Sequence, residues 1–281
     1  MEFEFSKYVR VGRLPHIWCP GCGLGVAMHS FLTAAEKLDL DQNKTVLVSG
    51  IGCSGRITGY LDFNTLHTTH GRALAFATGI KLGNPDLKVI VFMGDGDATA
   101  IGGNHFIHAA RRNIDLTAIV LNNSIYGMTG GQYSPTTPMK ARASTAPYGM
   151  MERPFDISEL AIAAGASYVA RSTVYHANQL ADLMGRAIRK KGFSVLEAIT
   201  YCHTTFGRRN KMPSPMENMQ WLKKHTVSIK QVSEHGPDDR ITVGELVNRD
   251  YPEYTAEYQH LIDLFQPLPR FGDSMRHELP T

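Results

Sequence analysis

Short, unbroken apolar runs alternate with longer segments of helical periodicity between residues 24 and 200. Two of these runs cover residues 89–92 and 118–121. A strand with one face in water alternates apolar and polar residues, so continuous apolar runs indicate strands that are covered on both faces. We therefore predict an α/β fold, a doubly wound and mostly parallel sheet with helices on both faces.

The predicted elements follow in strict alternation. Helices are predicted over residues 24–38, 73–82, 104–112, 157–164 and 177–190, and strands over 46–48, 88–93, 116–121, 168–171 and 194–200. Residues 133–147 contain three prolines and several Ser and Thr, which is typical of a long loop. Of the 281 residues, we expect 1–225 to form one domain and the polar, irregular stretch 226–281 to form a C-terminal arm or lid.

Charge and hydropathy exclude several classes of protein. The 29 Lys and Arg residues barely exceed the 26 Asp and Glu residues, so we expect no nucleic-acid partner. No segment reaches the ~20 apolar residues of a membrane helix, and the first 13 residues lack the apolar run of a secretory signal. The predicted location is cytoplasmic, where cysteines stay reduced and serve as metal ligands or packing residues.

Four cysteines form a spaced set: Cys19 and Cys22 as a C-x2-C pair, then Cys53 and Cys202. A [4Fe–4S] cluster needs one thiolate for each iron, and a pair with two distant cysteines can supply four. The same four thiolates could instead form a tetrahedral structural zinc site in a non-catalytic interaction domain. That alternative leaves the acidic motif described next without a role.

The acidic motif is G-D-G-D at residues 94–97, followed 28 residues after Asp95 by Asn123. A carboxylate and an amide oxygen suit Mg2+, and flanking glycines let backbone N–H groups approach a diphosphate. Cys53, Asp95, Asn123 and Cys202 each follow a predicted strand. Because the carboxyl ends of parallel strands share one edge of a sheet, we expect all four residues at that edge.

The G-D-G and N-N pair resembles the thiamine diphosphate motif. More narrowly, the runs at residues 94–105 and 122–136 resemble the β subunit of 2-oxoacid:ferredoxin oxidoreductases, most like the 2-oxoglutarate type. The likeness extends to W-C-P-G-C-G, G-I-G-C-S-G, H-T-T-H-G-R and the late Cys202, and it covers roughly the first 210 residues in order.

The resemblance implies a complete set of site residues. It places Mg2+ on Asp95, Asn123 and the carbonyl of Ile125, and the [4Fe–4S] cluster on Cys19, Cys22, Cys53 and Cys202. It places thiamine diphosphate against Ile51, Gly52, Cys53, Ser54, His70, Gly96, Asp97, Gly127 and Met128. Arg56 is predicted to contact the substrate carboxylates and His70 a phosphate or the substrate. The spacing of His67 and His70 could also suggest zinc, but no second pair of ligands remains once the cluster is assigned.

The implied reaction is oxidative decarboxylation of a 2-oxo acid with coenzyme A to an acyl-CoA, with electrons leaving through the cluster to ferredoxin. Cofactor activation in this class uses a glutamate from a second domain, and this chain has a single G-D-G and N-N unit. We therefore expect an α subunit to supply that glutamate, in an αβ or (αβ)2 assembly.

The preferred substrate is 2-oxoglutarate. Gly130 stands where relatives often carry lysine, so pyruvate and other 2-oxo acids remain open. A non-redox thiamine decarboxylase or carboligase is the competing class. Arg208, Arg209 and Lys211 could attract an acidic ferredoxin or could simply be solvated.

Overall fold

The computed structural model describes residues 5–236 and 239–265. The strands of this part of the chain are β1 (Thr45–Ser49), β2 (Asn64–His67), β3 (Lys88–Gly94), β4 (Thr117–Asn122), β5 (Ile125–Tyr126), β6 (Gln132–Tyr133), β7 (Tyr168–Thr173), β8 (Ser194–Ile199), β9 (Thr226–Ser228) and β10 (Ile241–Asn248). The α-helices are α1 (Gly23–Lys37), α2 (Ala73–Gly83), α3 (Gly103–Arg112), α4 (Ile157–Ala163), α5 (Ala177–Arg189), α6 (Pro215–Lys224), α7 (Ile229–His235) and α8 (Tyr254–Leu264). None of these helices combines the length and the apolar character needed to cross a bilayer.

Eight strands form one sheet in the order β2-β1-β3-β4-β8-β7-β10-β9. The pairs from β2 to β7 are parallel, and β10 joins β7 in the antiparallel sense. The predicted α/β class with a mostly parallel sheet is therefore confirmed. Strands β5 and β6 form a separate antiparallel hairpin beyond the carboxyl end of β4.

Two apolar cores lie on opposite faces of the sheet, because successive side chains of a strand point in opposite directions. In β3, Phe92 packs edge-to-face on Phe31 of α1, with ring centroids 5.1 Å apart. Its neighbour Val91 belongs to the other core, together with Ala77 of α2 and Phe106 of α3. Both cores need apolar residues from the same strand, which explains the continuous runs in the sequence.

The stretch after residue 225 is more regular than the sequence suggested. Residues 226–236 and 239–248 add β9, α7 and β10 to the fold, so the expectation of irregular structure there is wrong. The register of β10 against β7 shifts between Glu245 and Val247, a bulge that breaks the alternation by which a strand is recognised. The division into a domain of 1–225 and an arm or lid of 226–281 stays a prediction, and residues 266–281 lie outside the described residues.

The edge strand β2 was also missed. Its residues Asn64–His67 include one apolar side chain, Leu66, and none of the four is buried. Parallel pairing with β1 places the end of β2, and the loop that follows it, beside the carboxyl end of β1. The loops after β1, β2, β3, β4 and β8 consequently meet at one edge of the sheet.

Candidate active site

A cavity of about 90 Å³ lies at this edge, between the loops that follow β1, β3 and β4. We call it the diphosphate-side cavity. The predicted cofactor and metal residues line it together: Ile51, Gly52, Cys53, Ser54, His70, Asp95, Gly96, Asp97, Asn123, Ile125, Gly127 and Met128. Their convergence agrees with the expectation that parallel strands deliver them to one edge, whereas the binding roles of these residues remain predictions.

Asp95 is a buried carboxylate at the end of β3, with 2% of its surface exposed. Burial raises its pKa above the ordinary carboxyl value, although hydrogen bonds from Ser134 and Thr136 oppose this shift. The Thr136 hydroxyl lies 2.7 Å from Asp95 Oδ2 and 3.0 Å from Asn122 Oδ1, and its single proton favours the nearer, charged acceptor. None of the ion pairs in the described part of the chain involves Asp95. A divalent cation would therefore supply the charge that this buried carboxylate lacks.

Asn123 begins the loop between β4 and β5. Its Oδ1 atom accepts a hydrogen bond of 3.2 Å from the backbone N–H of Ile125. Ser124, which has a positive φ of 58°, forms the tight turn between these two residues. Asn123 and Asp95 thus provide hard oxygen atoms on the same cavity wall, and this donor set fits Mg2+.

Asp97 ties three loops together from the first residue of a π-helical turn, Asp97–Ile101. Its Oδ1 atom accepts hydrogen bonds from the backbone N–H groups of Gly71 at 2.7 Å and of Ile51 at 3.3 Å, and it pairs with Nδ1 of His70. A Cβ atom at Gly50 would lie 1.8 Å from Asp97 Oδ2, so this approach requires glycine. Asp97 therefore fixes the position of His70, whose half-exposed ring lines the cavity.

A second cavity, of about 260 Å³, is lined by Cys19, Cys22, Cys53 and Cys202. We call it the thiol cavity. All four cysteines are free thiols although they come from three separate parts of the sequence. The predicted convergence of the four thiols is therefore observed.

The two cavities share part of their walls, namely Cys53, Asn123, Gly127 and Met128. Gly127 lies in the turn of the β5–β6 hairpin, where an added Cβ would be 3.3 Å from Cys202 Sγ and 3.9 Å from Cys53 Sγ. The absence of a side chain at this position lets the hairpin backbone approach both sulfur atoms. A group in one cavity would therefore be separated from a group in the other by a single layer of residues.

The thiols differ in their electrostatic environment. Burial raises the pKa of Cys22 to about 12 and also raises that of Cys53. Burial acts in the same direction at Cys202, but hydrogen bonds from Thr204, from Thr205 and from backbone N–H groups outweigh it and lower the pKa. A bound metal ion would supply the positive charge that holds Cys22 and Cys53 as thiolates.

No three His, Cys, Asp or Glu side chains converge on a single metal ion anywhere in residues 5–236 and 239–265. A tetrahedral zinc site requires four sulfurs at about 2.3 Å from one ion. A four-iron cube binds each thiolate to a different iron, so it needs sulfurs arranged around a larger space. Among the described residues, the four thiols do not form the single-ion arrangement.

Three predicted residues lie apart from this arrangement. Arg56 is exposed and does not line either cavity, so its contact with substrate stays a prediction. His67 Nδ1 lies 2.9 Å from Ser49 Oγ while His70 pairs with Asp97, so the two histidines have different partners. Arg209 is exposed and donates from Nη1 to the carbonyl oxygen of Thr205 at 3.0 Å.

Other contacts at the site were not predicted. The Trp18 indole donates a hydrogen bond of 2.7 Å to the carbonyl oxygen of Cys53, which joins the C-x2-C loop to the loop after β1. Thr136 reaches Asp95 across 41 residues of sequence, and Thr205 contacts the sulfur of Cys202 at 2.9 Å. For Thr136, neither spacing nor hydropathy gives a signal, because the contact depends on how the long loop folds back.

Comparison with known families identifies one matching segment. Residues 50–198 match the family described as thiamine pyrophosphate enzyme, C-terminal TPP binding domain. The segment runs from the end of β1 almost to the end of β8. It contains Asp95, Asn123 and Cys53 but not the other three cysteines.

Curated relatives match over more of the chain. The 2-oxoglutarate synthase subunit KorB of Methanothermobacter thermautotrophicus is 52% identical over 265 residues, which are 93% of this chain and 93% of the relative. The protein of the same name from Archaeoglobus fulgidus is 63% identical over 204 residues, or 73% of this chain and 76% of the relative.

A solved structure shares the whole fold. The 2-oxoglutarate:ferredoxin oxidoreductase from Magnetococcus marinus, with 2-oxoglutarate, coenzyme A and succinyl-CoA bound, matches with a TM-score of 0.84 and 29% identity. The match covers 98% of this chain and 96% of that one.

Proposed function

This chain belongs to the family of 2-oxoacid:ferredoxin oxidoreductase β subunits, of the 2-oxoglutarate type, and we propose that it holds the thiamine diphosphate and an electron-transfer cluster of such an enzyme. The reaction converts a 2-oxo acid and coenzyme A to an acyl-CoA, carbon dioxide and a proton. Two electrons leave singly through a [4Fe–4S] cluster, one to each of two ferredoxins. With 2-oxoglutarate the acyl product is succinyl-CoA.

The observation that carries this proposal is the shared wall of the two cavities. Cys53 and Gly127 line both the diphosphate-side cavity and the thiol cavity. An enzyme that oxidises a cofactor-bound substrate needs its electron acceptor close to that cofactor. A non-redox thiamine enzyme would have no use for four thiols beside the diphosphate site.

The diphosphate-side residues would perform separate tasks. Asp95, Asn123 and the Ile125 carbonyl would hold Mg2+, and the metal would in turn hold the diphosphate. Asp97 keeps His70 at the cavity wall, where the imidazole can contact a phosphate or the substrate. When bound, thiamine diphosphate supplies the carbanion chemistry by which a 2-oxo acid loses carbon dioxide.

The thiol residues would bind the cluster. Cys19, Cys22, Cys53 and Cys202 would each ligate one iron. Trp18, 6% exposed, covers the loop of Cys53 and donates to its carbonyl oxygen. A fixed environment limits the structural change that accompanies each electron transfer.

The substrate and partner assignments follow from the relatives. The Magnetococcus marinus enzyme binds 2-oxoglutarate, coenzyme A and succinyl-CoA, and we propose the same substrate class for this chain. The relatives named as subunits support an assembly with a partner subunit, which we propose to be an α subunit in an αβ or (αβ)2 arrangement. The name of the Magnetococcus marinus enzyme supports ferredoxin as the electron acceptor. A cytoplasmic location and Arg56 as a substrate contact belong to this proposal as well.

The test uses the complex assembled with its α subunit and purified without oxygen. Iron, sulfide and thiamine diphosphate are measured in the wild type, in Cys202→Ser and in Asp95→Ala. We expect Cys202→Ser to lose iron and Asp95→Ala to lose thiamine diphosphate while keeping its iron. A colourless wild type, or one zinc and no iron in this chain, would refute the cluster assignment.

Substrate choice is tested separately by comparing kcat/KM for 2-oxoglutarate, pyruvate and branched 2-oxo acids on the same complex. We expect the highest value with 2-oxoglutarate. A clear preference for pyruvate would overturn this part of the proposal without affecting the cofactor sites.

A further inference from the structure

Cys202 differs from the other thiols in the number of hydroxyl groups around its sulfur. Thr205 Oγ1 lies 2.9 Å from Cys202 Sγ, and Thr204 Oγ1 lies 3.4 Å from it. In the described part of the chain, the other hydroxyl–sulfur contact is the longer one between Thr204 and Cys19, at 3.8 Å. The hydrogen bonds at the thiol cavity are therefore concentrated on one of the four sulfurs.

The direction of the Thr205 hydrogen bond follows from the ligation of iron. A thiolate bound to iron carries no proton, so the hydroxyl must be the donor. Backbone N–H groups of Thr205 and Phe206 also reach the sulfur, as part of the π-helical turn His203–Gly207. The turn thus presents several donors to the same atom.

Thr205 is packed against the Gly131 backbone, and its own backbone is tied to Arg209. A Cβ atom at Gly131, in the loop that leads to β6, would lie 3.0 Å from Thr205 Cβ. The guanidinium of Arg209, one helical turn later, donates to the Thr205 carbonyl oxygen at 3.0 Å. These two contacts fix the Thr205 backbone beside Cys202, within reach of its sulfur.

Donors to the sulfur ligands of an iron–sulfur cluster change its reduction potential. Reduction adds one electron to the cluster, and the added negative charge spreads onto the sulfurs, where hydrogen bonds stabilise it. The reduced form consequently gains more from each donor than the oxidised form does. A cluster with an additional donor accepts its electron at a higher potential.

We propose that Thr205 is a positioning residue whose hydroxyl raises the reduction potential of the cluster and so sets how readily it takes electrons from the neighbouring cofactor site. This inference rests on the proposed cluster ligation by Cys202. The Thr204 hydroxyl, at the longer distance of 3.4 Å from Cys202 Sγ, would also raise the reduction potential, but by less.

The experiment is an anaerobic redox titration of the assembled complex, followed by electron paramagnetic resonance of the reduced cluster. Thr205→Val removes the hydroxyl and keeps the shape, whereas Thr205→Ser keeps the donor. We expect a lower midpoint potential in Thr205→Val at unchanged iron content, and a value close to wild type in Thr205→Ser. Thr226→Val is the matched control, because the Thr226 hydroxyl is buried and donates to the Leu222 carbonyl oxygen at 2.9 Å. Its potential should equal that of the wild type.

An unchanged potential in Thr205→Val with full iron content would overturn the inference. If that variant loses its cluster, Thr204→Val decides instead, since a smaller downward shift is expected there and an unchanged potential would overturn it. A cluster that survives Cys202→Ser with the same signal and the same potential would refute the ligand assignment itself and the inference with it.

Discussion

Thr136→Val is predicted to weaken metal binding while the fold persists. The Thr136 hydroxyl donates to Asp95 Oδ2 at 2.7 Å, inside a site where the carboxylate is 2% exposed. Without this donor, the buried Oδ2 atom loses the Thr136 hydrogen bond, and Ser134 is left as the side-chain donor to the carboxylate. Valine has the same shape as threonine, so packing of the loop is preserved.

The size of the effect follows from the charge on Asp95. A hydrogen bond to a charged group contributes about 1.5–3 kcal/mol. At about 1.4 kcal/mol for each factor of ten, this corresponds to an increase in Kd for Mg2+ of roughly 10- to 100-fold. Thr136→Ser retains the hydroxyl donor. Its Kd for Mg2+ should stay within about threefold of the wild-type value if the lost methyl group costs under ~0.7 kcal/mol of binding free energy.

The assay is titration of the metal-depleted complex with Mn2+ in the presence of thiamine diphosphate, read by electron paramagnetic resonance of the free ion. Thr117→Val is the matched control at the opposite end of β4, where the buried hydroxyl donates to the Ala187 carbonyl oxygen at 3.3 Å. An unchanged affinity in Thr136→Val, combined with lost binding in Asp95→Ala, would refute the role of the hydroxyl. Normal metal binding in Asp95→Ala would refute the metal site.

Further changes test the core, the buried charges and the thiols. Phe92→Ala should lower the free energy of unfolding by about 3–5 kcal/mol in chemical denaturation, because Phe92 is fully buried against α1, and a loss below 1 kcal/mol would contradict the packing described. The Glu197 carboxylate lies 2.8 Å from Arg171 Nε, and Arg171→Met leaves it buried without its charge partner. This substitution should lower the free energy of unfolding by about 3–5 kcal/mol, measured in the same way. In the iron-free chain at pH 8, iodoacetamide should modify Cys22 far more slowly than Cys202. Burial raises the pKa of Cys22 to about 12 and keeps its thiol protonated, whereas hydrogen bonds lower the pKa of Cys202. Equal rates by mass spectrometry would contradict this difference.

The sequence was most informative where a pattern is dense and local. The buried strands β3 and β4 were predicted within one residue because both faces of each are covered, so their apolar runs are unbroken. The same argument placed Asp95 and Asn123 after neighbouring strands, and the structure brings them to one cavity. Here the periodicity of the chain and the rules of parallel sheets were sufficient.

The sequence was least informative where a contact depends on the path of a loop or on a bulge. The register shift in β10 breaks the alternation of side chains by which this strand could have been predicted. Thr136 and Thr205 make their contacts through single hydroxyl groups, to Asp95 across 41 residues of sequence and to Cys202 within one turn, and a threonine carries no sequence signal of such a contact. Arg56 was predicted from the resemblance, at a position where relatives place a basic residue. It is exposed and does not line either cavity, and its contact with the substrate stays a prediction.

The central claim is that the cluster and the cofactor occupy adjoining cavities of this chain. The most direct test is a crystal structure of the anaerobic holo-complex, with anomalous scattering collected on both sides of the iron absorption edge. The account predicts an iron peak enclosed by Cys19, Cys22, Cys53 and Cys202, with the diphosphate beside Asp95 across the Gly127 backbone. Iron located only outside this chain, or a diphosphate remote from Asp95, would contradict it.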